Sequence, residues 1–392
     1  MITRSAEYLD ETGAPTGEML KSVMKEFLLG QERLERLRDY HRRRHAIDGR
    51  VRRRGLPNNR LSHDLPGYIA TTAAGYLAGA PVRYQSDAPG LQTVLAAYAA
   101  TDVESEDCEL AVDASVYGRA AELCYADASS RPRVAQADPT RSFVVYGEDA
   151  LHLPLLGVCF GEKRDGEGRA LCRRASVYTA REELCYEGKS LTALQLVRRA
   201  PHFFGHVPLI EYWNNAAESG DFEGVLPLID AYDALQSDRV NDKQQFTDAI
   251  LVLYGVAGVS EGEAPAAQRL REEKTLCMPE SDARVEFLTK QLSESDTEVL
   301  KESLKSDIHK LSLVPDLSDV QFAGNQSGVA MRYKLFGLEQ LTCVKERWFR
   351  EGLMERWRRF AYFLALTGAQ APQAEQVTAI FTHQLPGMAE QE

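Results

Sequence analysis

Residues 315–335 read PDLSDVQFAGNQSGVAMRYKL, and this stretch decides how the chain is organised. Its first half contains a proline, a glycine and an asparagine, which favour a loop. From about residue 327 the pattern predicts one helix as far as residue 366, which at 1.5 Å per residue would be about 60 Å long. We expect this helix to be kinked at Gly337 and Gly352.

Apolar residues recur at helical spacing in the segments upstream of this loop. The predicted helices cover about residues 17–48, 64–79, 89–126, 222–253 and 296–311. Asp221 is placed to cap the helix that begins at residue 222, because a carboxylate can accept hydrogen bonds from the first backbone amides.

Short runs of β-branched and aromatic residues between turn-forming residues predict strands. They fall at residues 143–146, 155–160, 176–179, 207–212, 275–278, 284–288 and 377–381. Pro208 suggests an edge position for its strand, since proline cannot donate a backbone hydrogen bond. The fold class is therefore α+β, with long helices on either side of a smaller insert.

The formal net charge is −12 and is unevenly distributed. Residues 1–60 carry 14 Lys and Arg against 9 Asp and Glu, or +5, so the remainder carries 32 against 49, or −17. An acidic protein does not bind DNA phosphates tightly, because tight binding needs many cations that displace counterions. An acidic surface could still surround DNA that has to slide. No apolar run is long enough for a membrane span.

The motifs of common enzymes are missing from the sequence. There is no phosphate-binding loop, no nucleophile elbow, and no C-x-x-C pair among the seven cysteines, which we expect to be reduced and structural. His202 and His206 are four residues apart, but Gly205 argues against the helix that a metal pair would need. We therefore expect no enzyme, no metal and no cofactor; an unrecognised enzyme near His202 and Glu211 is a minor alternative.

A run of arginines follows the first predicted helix. It forms a candidate basic patch of Arg42, Arg43, Arg44, Arg52, Arg53 and Arg54. The patch is either a solvated surface or a contact for nucleic acid or an acidic partner.

Two stretches resemble the portal proteins of tailed bacteriophages, of the siphophage head-tail connector type. In that family a loop like residues 315–326 follows one helix, and a long kinked helix then begins with Ser-Gly-x-Ala, here Ser327 to Ala330. Residues 207–246 resemble the strand that leads into the family's stem helix. Weaker similarity lies at residues 57–61 and 75–81. The resemblance covers about residues 50–385.

The resemblance implies a portal fold with a wing, a stem, a clip and a tunnel loop. The implied parts are an N-terminal helical basic segment (1–60), the wing (61–221), a stem helix (222–254), the clip (255–292), a second stem helix (293–313), the tunnel loop (314–326), and a long kinked helix with a closing wing strand (327–392). The family's C-terminal helical crown is expected to be short or absent.

The implied function is that of a non-enzymatic subunit of a dodecameric ring at one capsid vertex. Double-stranded DNA would pass through the ring during packaging and ejection, without sequence preference, and the ring would later join head to tail. The implied partners are the terminase large subunit, a head-completion or adaptor protein, and the major capsid and scaffolding proteins. The implied location is the virion, with the host cytoplasm during assembly. The alternative is a prophage-derived structural protein that keeps the fold without an active DNA channel.

Candidate channel residues come from the second stem helix and the tunnel loop. On the helix, Lys301, Lys305 and His309 fall on one face beside a stripe of leucines. In a ring, each lysine would become a circle of positive charge; the alternative is a solvated face. In the loop the candidates are Gln321, Asn325 and Gln326.

Overall fold

The structure, a computed structural model, describes residues 1–11, 13–53, 56–246, 250–254, 275–276, 284–288, 294–317 and 328–383. The chain divides into two compact units. The first falls within Met1–Arg42, Asp64–Gly224 and Lys310–Glu392, and the second within Arg43–His63 and Val225–His309. Four predicted site residues lie outside the described residues: Arg54, Gln321, Asn325 and Gln326.

Helices form where apolar residues recur every three or four positions and one face can be buried. The α-helices of the described residues are α1 (Gly17–His41), α2 (Leu65–Ala78), α3 (Leu91–Ala99), α4 (Val103–Tyr117), α5 (Leu226–Phe246), α6 (Glu294–Ser312) and α7 (Gly328–Leu366). Each predicted helix is present, although several end elsewhere than predicted. Helix α1 ends at His41 rather than near residue 48, and residues 46–49 form a separate 3-10 turn.

Strands fill the region where the sequence changes to short β-branched runs. They are β1 (Ile2–Arg4), β2 (Arg83–Gln85), β3 (Arg119–Ala126), β4 (Pro132–Ala137), β5 (Ser142–Gly147), β6 (Pro154–Arg164), β7 (Ala170–Tyr178), β8 (Glu182–Gly188), β9 (Leu194–Pro201), β10 (Leu209–Trp213), β11 (Ile250–Tyr254), β12 (Thr275–Leu276), β13 (Arg284–Leu288) and β14 (Thr378–Ile380). Together with the helices they confirm the α+β class.

Three sheets belong to the first unit. A six-stranded sheet has the order β1-β5-β6-β7-β8-β9, in which the consecutive strands from β5 onward are antiparallel and β1 joins parallel to β5. A three-stranded sheet has the order β10-β3-β4, and a small sheet pairs β14 with β2. Strand β10 is at the edge of its sheet, as Pro208 predicted.

The predicted helix over residues 89–126 is wrong at its end. The chain forms α3 and α4 there, and Arg119–Ala126 is strand β3, paired with both β10 and β4. Gly118 stops α4 because its φ is +82°, and a Cβ there would clash with the carbonyl oxygen of Glu218. Ala120, Ala121 and Glu122 are buried in succession, so β3 is covered on both faces and depends on partners that are distant in sequence.

Helix α7 is the longest helix in the described part of the chain. It has 39 residues and is continuous, so it is about 60 Å long. Its apolar stripe is buried, and each large side chain contributes on the order of 1.5–3 kcal/mol. The most buried members are Leu338, Phe349, Leu353, Trp357 and Phe360. The kinks at Gly337 and Gly352 remain predictions; Gly352 has a packing role, since a Cβ there would overlap the ring of Tyr212.

The prediction of one helix over residues 222–253 is also wrong at its end. Helix α5 ends at Phe246, and Ile250–Tyr254 forms strand β11. The strand pairs antiparallel with β13 and parallel with β12, so its apolar run has a partner on both sides. The short strands predicted near residues 275 and 284 are confirmed. Most of the predicted clip, 255–292, lies outside the described residues, and the boundaries of wing, stem, clip and tunnel loop stay predictions.

Asp221 does not cap α5, as the sequence had suggested. Its carboxylate is held in the first unit, where it accepts a hydrogen bond from Asn214 Nδ2 at 2.7 Å and forms an ion pair with Lys345 of α7. The side chains of Asp221 and Lys345 are each 1% exposed. A buried ammonium outcompetes backbone amides for this carboxylate, because both charges would otherwise be buried without a partner.

Candidate functional site

The predicted channel face lies on α6 and carries less free charge than its sequence suggests. Lys301 Nζ lies 2.5 Å from Glu298 Oε1 and 3.1 Å from Glu302 Oε1. The hydrogen bonds that Lys301 donates to Glu298, and next to Glu302, raise the pKa of Lys301. Lys305 and His309 are half-buried, and each takes part in an interaction within the structure. The three residues share one side of the helix, but Lys301 is already surrounded by carboxylates.

The leucine stripe of α6 is only partly buried. Ile308 is fully buried, whereas Leu300 is 50% exposed and Leu311 is 64% exposed. The exposed members of the stripe leave apolar surface for a partner to cover.

The start of the predicted tunnel loop is held by a tyrosine of the first unit. Tyr68 of α2 donates its hydroxyl hydrogen to the carbonyl oxygen of Pro315 at 2.7 Å and accepts the backbone N–H of Leu317 at 2.9 Å. The candidates further along the loop, Gln321, Asn325 and Gln326, lie outside the described residues.

The candidate basic patch is not one surface. Arg42, Arg43, Arg44 and Arg53 are exposed, whereas Arg52 is 22% exposed and forms an ion pair with Asp238 of α5. Arg50, a neighbour in the run, donates to the same Asp238 oxygen at 2.5 Å. Two cations on one carboxylate are partly neutralised, so this end of the patch has a structural role in the second unit.

The segment that carries this patch is fastened along α5 by buried polar residues. Asp233 is fully buried, and its carboxylate oxygens lie 2.5 Å from His45 Nδ1 and 2.7 Å from His63 Nδ1. One and two turns further along α5, Ser237 accepts the backbone N–H of Leu61 and Asn241 accepts that of Asn59. Burial tends to raise the pKa of Asp233, but the hydrogen bonds from His45 and His63 hold it below its usual range. The sequence carries no signal for this ladder, because the partners in each hydrogen bond are separated by 170 residues or more.

A second buried cluster lies between α7, α4 and the three-stranded sheet β10-β3-β4. Arg356 is 0% exposed; its Nε and Nη2 donate to Glu122 at 2.8 Å, and its Nη1 donates to Asp107 at 2.6 Å. The hydroxyl of Tyr212 donates to the same Glu122 at 2.7 Å. Burial raises the pKa of the Asp107 carboxyl to about 6, against the opposing charge of Arg356. The sequence signal for this cluster was a charged residue within the apolar stripe of α7.

The histidine and glutamate of the enzyme alternative are engaged in structural contacts. His202 Nε2 lies 2.9 Å from the carbonyl oxygen of Thr179, and its Nδ1 accepts the backbone N–H of Phe204. Glu211 borders a groove of about 640 Å³, but Arg119 donates to one of its oxygens and the Tyr146 hydroxyl to the other. Among the described residues, no group of three or more His, Cys, Asp or Glu side chains is arranged to hold a metal ion.

An exposed apolar row runs along the first half of α7. Tyr333, Phe336 and Val344 are 78%, 60% and 47% exposed. At 100° per residue the three side chains fall within an arc of about 80°. The three side chains therefore lie on one side of the helix, with the exposed Gln340 between Phe336 and Val344, and the opposite side of the helix is in the core. None of the helices in the described part of the chain is both long and apolar enough to span a membrane.

Comparisons with known proteins show which family the sequence resembles. The family model described as phage portal protein, SPP1 Gp6-like, matches residues 26–391. The portal protein of Clostridium phage phiCD119 is 26% identical over 168 residues, which are 42% of this chain and 37% of the relative. The portal protein of Bacillus phage SPP1 is 25% identical over 165 residues, 42% of this chain and 32% of the relative.

These matches span about a third of the length of the curated relatives. A chain from the solved structure of the virion of a native gene transfer agent particle aligns with a TM-score of 0.44 and 12% identity, over 81% of this chain and 80% of that chain. The family model, in contrast, covers nearly the whole sequence. The chain therefore belongs to the SPP1 Gp6-like family of phage portal proteins.

Proposed function

We propose that the protein forms a ring-shaped channel at one vertex of a phage capsid. Double-stranded DNA passes through this ring during packaging and ejection, and the ring joins head to tail. The proposed ring has twelve copies. Its partners are the terminase large subunit, which supplies the ATP chemistry, a head-completion or adaptor protein, and the major capsid and scaffolding proteins. The protein acts in the virion, and in the host cytoplasm during assembly, without catalysis of its own.

The observation that carries this proposal is the exposed apolar row of α7. A side chain such as Tyr333, at 78% exposure, gains little from folding of a single copy. A strip of such residues on one helix is typical of a surface that a second copy covers. In a portal family member, the simplest occupant is the neighbouring subunit of a closed ring.

The charge distribution supports a channel that DNA can slide through. The chain has a net charge of −12, and Lys301 and Arg52 each pair with carboxylates. Net negative charge disfavours tight binding to phosphates, so we expect a low affinity for DNA that does not depend on base sequence. In this proposal α5 and α6 belong to the stem, residues 255–292 to the clip, and residues 314–326 to the tunnel loop.

Negative-stain electron microscopy and mass determination in solution test the ring. We expect closed rings with a central hole wide enough for a DNA duplex. Phe336→Asp should shift the mass toward the monomer without lowering the melting temperature, because it places a charge in the covered strip. The matched control is Leu29→Asp on α1, whose side chain is 87% exposed outside this strip and which should still form rings. A monomeric wild-type chain would instead favour a prophage-derived structural protein without an active channel.

The proposed channel residues are Lys301, Lys305 and His309 on α6, and Gln321, Asn325 and Gln326 in the tunnel loop. Charge reversal by Lys305→Glu should reduce DNA packaging while ring mass stays that of the wild type, because a circle of positive charge becomes negative beside the phosphates. Unchanged packaging in intact Lys305→Glu rings would remove this helix face from the channel.

A further inference from the structure

The chain leaves α6 through a backbone path that local sequence does not favour. Leu313 has a φ of +60°, in the left-handed region that costs a non-glycine residue on the order of 1 kcal/mol. Val314, the next residue, is fully buried. Surrounding contacts therefore have to hold this exit in place.

Tyr68 supplies the contact that holds the two residues on either side of Asp316. Its hydroxyl donates to the carbonyl oxygen of Pro315 and accepts the N–H of Leu317, at 2.7 and 2.9 Å. A hydroxyl has one hydrogen to donate, and here that donor and an acceptor site are both used on one short stretch of backbone. The two bonds fix the direction in which the chain leaves Pro315.

The helix that carries Tyr68 is itself firmly packed. Ile69, Ala73 and Leu77 of α2 are at most 1% exposed. Two turns beyond Tyr68, the hydroxyl of Tyr76 donates to Glu339 of α7 at 2.6 Å. Helix α2 is therefore a firm support, and the hydroxyl of Tyr68 ties the backbone of residues 315–317 to this helix.

We propose that Tyr68 is a positioning residue for the channel: it sets where the tunnel loop starts. This inference rests on the proposed function, in which the segment that begins at residue 314 faces DNA. The role belongs to the hydroxyl rather than to the ring, because both contacts are made by that oxygen. Removing it should disturb residues 315–317 while leaving the core around α2 intact.

The test compares Tyr68→Phe with Tyr76→Phe in the full chain. Both variants lose one tyrosine hydroxyl from the same helix, but the Tyr76 hydroxyl binds a side chain rather than the loop start. Hydrogen–deuterium exchange over residues 313–317 should accelerate by roughly fivefold or more in Tyr68→Phe, as expected for the loss of hydrogen bonds of ordinary strength. Exchange there should be unchanged in Tyr76→Phe. Ring mass and melting temperature of Tyr68→Phe should match the wild type, whereas DNA packaged per head should fall.

Two results would overturn the inference. One is wild-type exchange at residues 313–317 in Tyr68→Phe, which would mean that the hydroxyl does not hold this backbone. The other is faster exchange with normal packaging in intact rings, which would mean that the position of the loop start does not matter to DNA. If the wild-type chain forms no ring, the proposed function fails, and the exchange comparison alone still decides whether Tyr68 anchors the loop.

Discussion

Replacing Arg356 by methionine is expected to destabilise the first unit by about 4 kcal/mol at pH 8. Removing one partner of a buried ion pair costs about 3–5 kcal/mol, because the remaining charge has lost both water and its counterion. Here two carboxylates, Asp107 and Glu122, share the one guanidinium through three hydrogen bonds. Methionine keeps much of the length and apolar volume of the arginine, so the loss reports the charge rather than a cavity.

The size of this loss depends on pH in a direction that the Asp107 carboxyl sets. Its pKa in the folded protein is about 6, raised by burial from 3.8. Proton binding by Asp107 therefore stabilises the folded protein, and this stabilisation is fully present below about pH 3.8 and is lost as the pH rises through about 6. Without Arg356 the pKa rises further. The deficit of the variant then shrinks below pH 8 by about 1.4 kcal/mol per pH unit for each proton that the folded variant binds in excess of the folded wild type.

Urea unfolding followed by tryptophan fluorescence measures this effect. All three tryptophans, Trp213, Trp348 and Trp357, lie in the first unit, so their signal reports on the unit that contains the cluster. Arg347→Met is the control, because Arg347 is exposed on the same helix and its loss should change the free energy of unfolding by less than about 0.5 kcal/mol. A deficit below 1 kcal/mol for Arg356→Met at pH 8, or equal deficits at pH 5 and pH 8, would refute the reasoning.

Two further substitutions test the packing of each unit. Gly352→Ala should destabilise the first unit by about 1–3 kcal/mol, since its Cβ would overlap the buried ring of Tyr212. The control is Gly337→Ala on the same helix, where the nearest atom is 3.5 Å from the added Cβ, so this change should be neutral or stabilise by up to about 1 kcal/mol. Urea unfolding distinguishes the two variants. Asp233→Asn should speed hydrogen exchange over residues 57–63, because an amide cannot accept from both His45 and His63. Since the folded pKa of Asp233 is lowered, its stabilisation is present above about pH 3.8 and is lost as the pH falls through the folded value, so wild type and variant should converge in acid.

The sequence by itself determined the α+β class, the presence of each long helix and half of the strands. These are local properties: helical spacing of apolar residues, β-branched runs and turn-forming residues act over a few positions. The long helix α7 and the loop before it were readable for this reason, and the same stretch carried the resemblance to portal proteins. Local pattern failed at residues 119–126 and 250–254, where a strand forms because partner strands distant in sequence lie beside it.

Only the tertiary structure decided which charged residues are buried and what they bind. Arg356 meets Glu122 across 234 residues of sequence, and His45 meets Asp233 across 188. Arg356 falls within the apolar stripe of α7 and Arg347 falls outside it, but the sequence could not show which carboxylates Arg356 binds. What separates the two arginines is the free energy of removing a charge from water, which is offset only where folding brings an opposite charge within hydrogen-bonding distance.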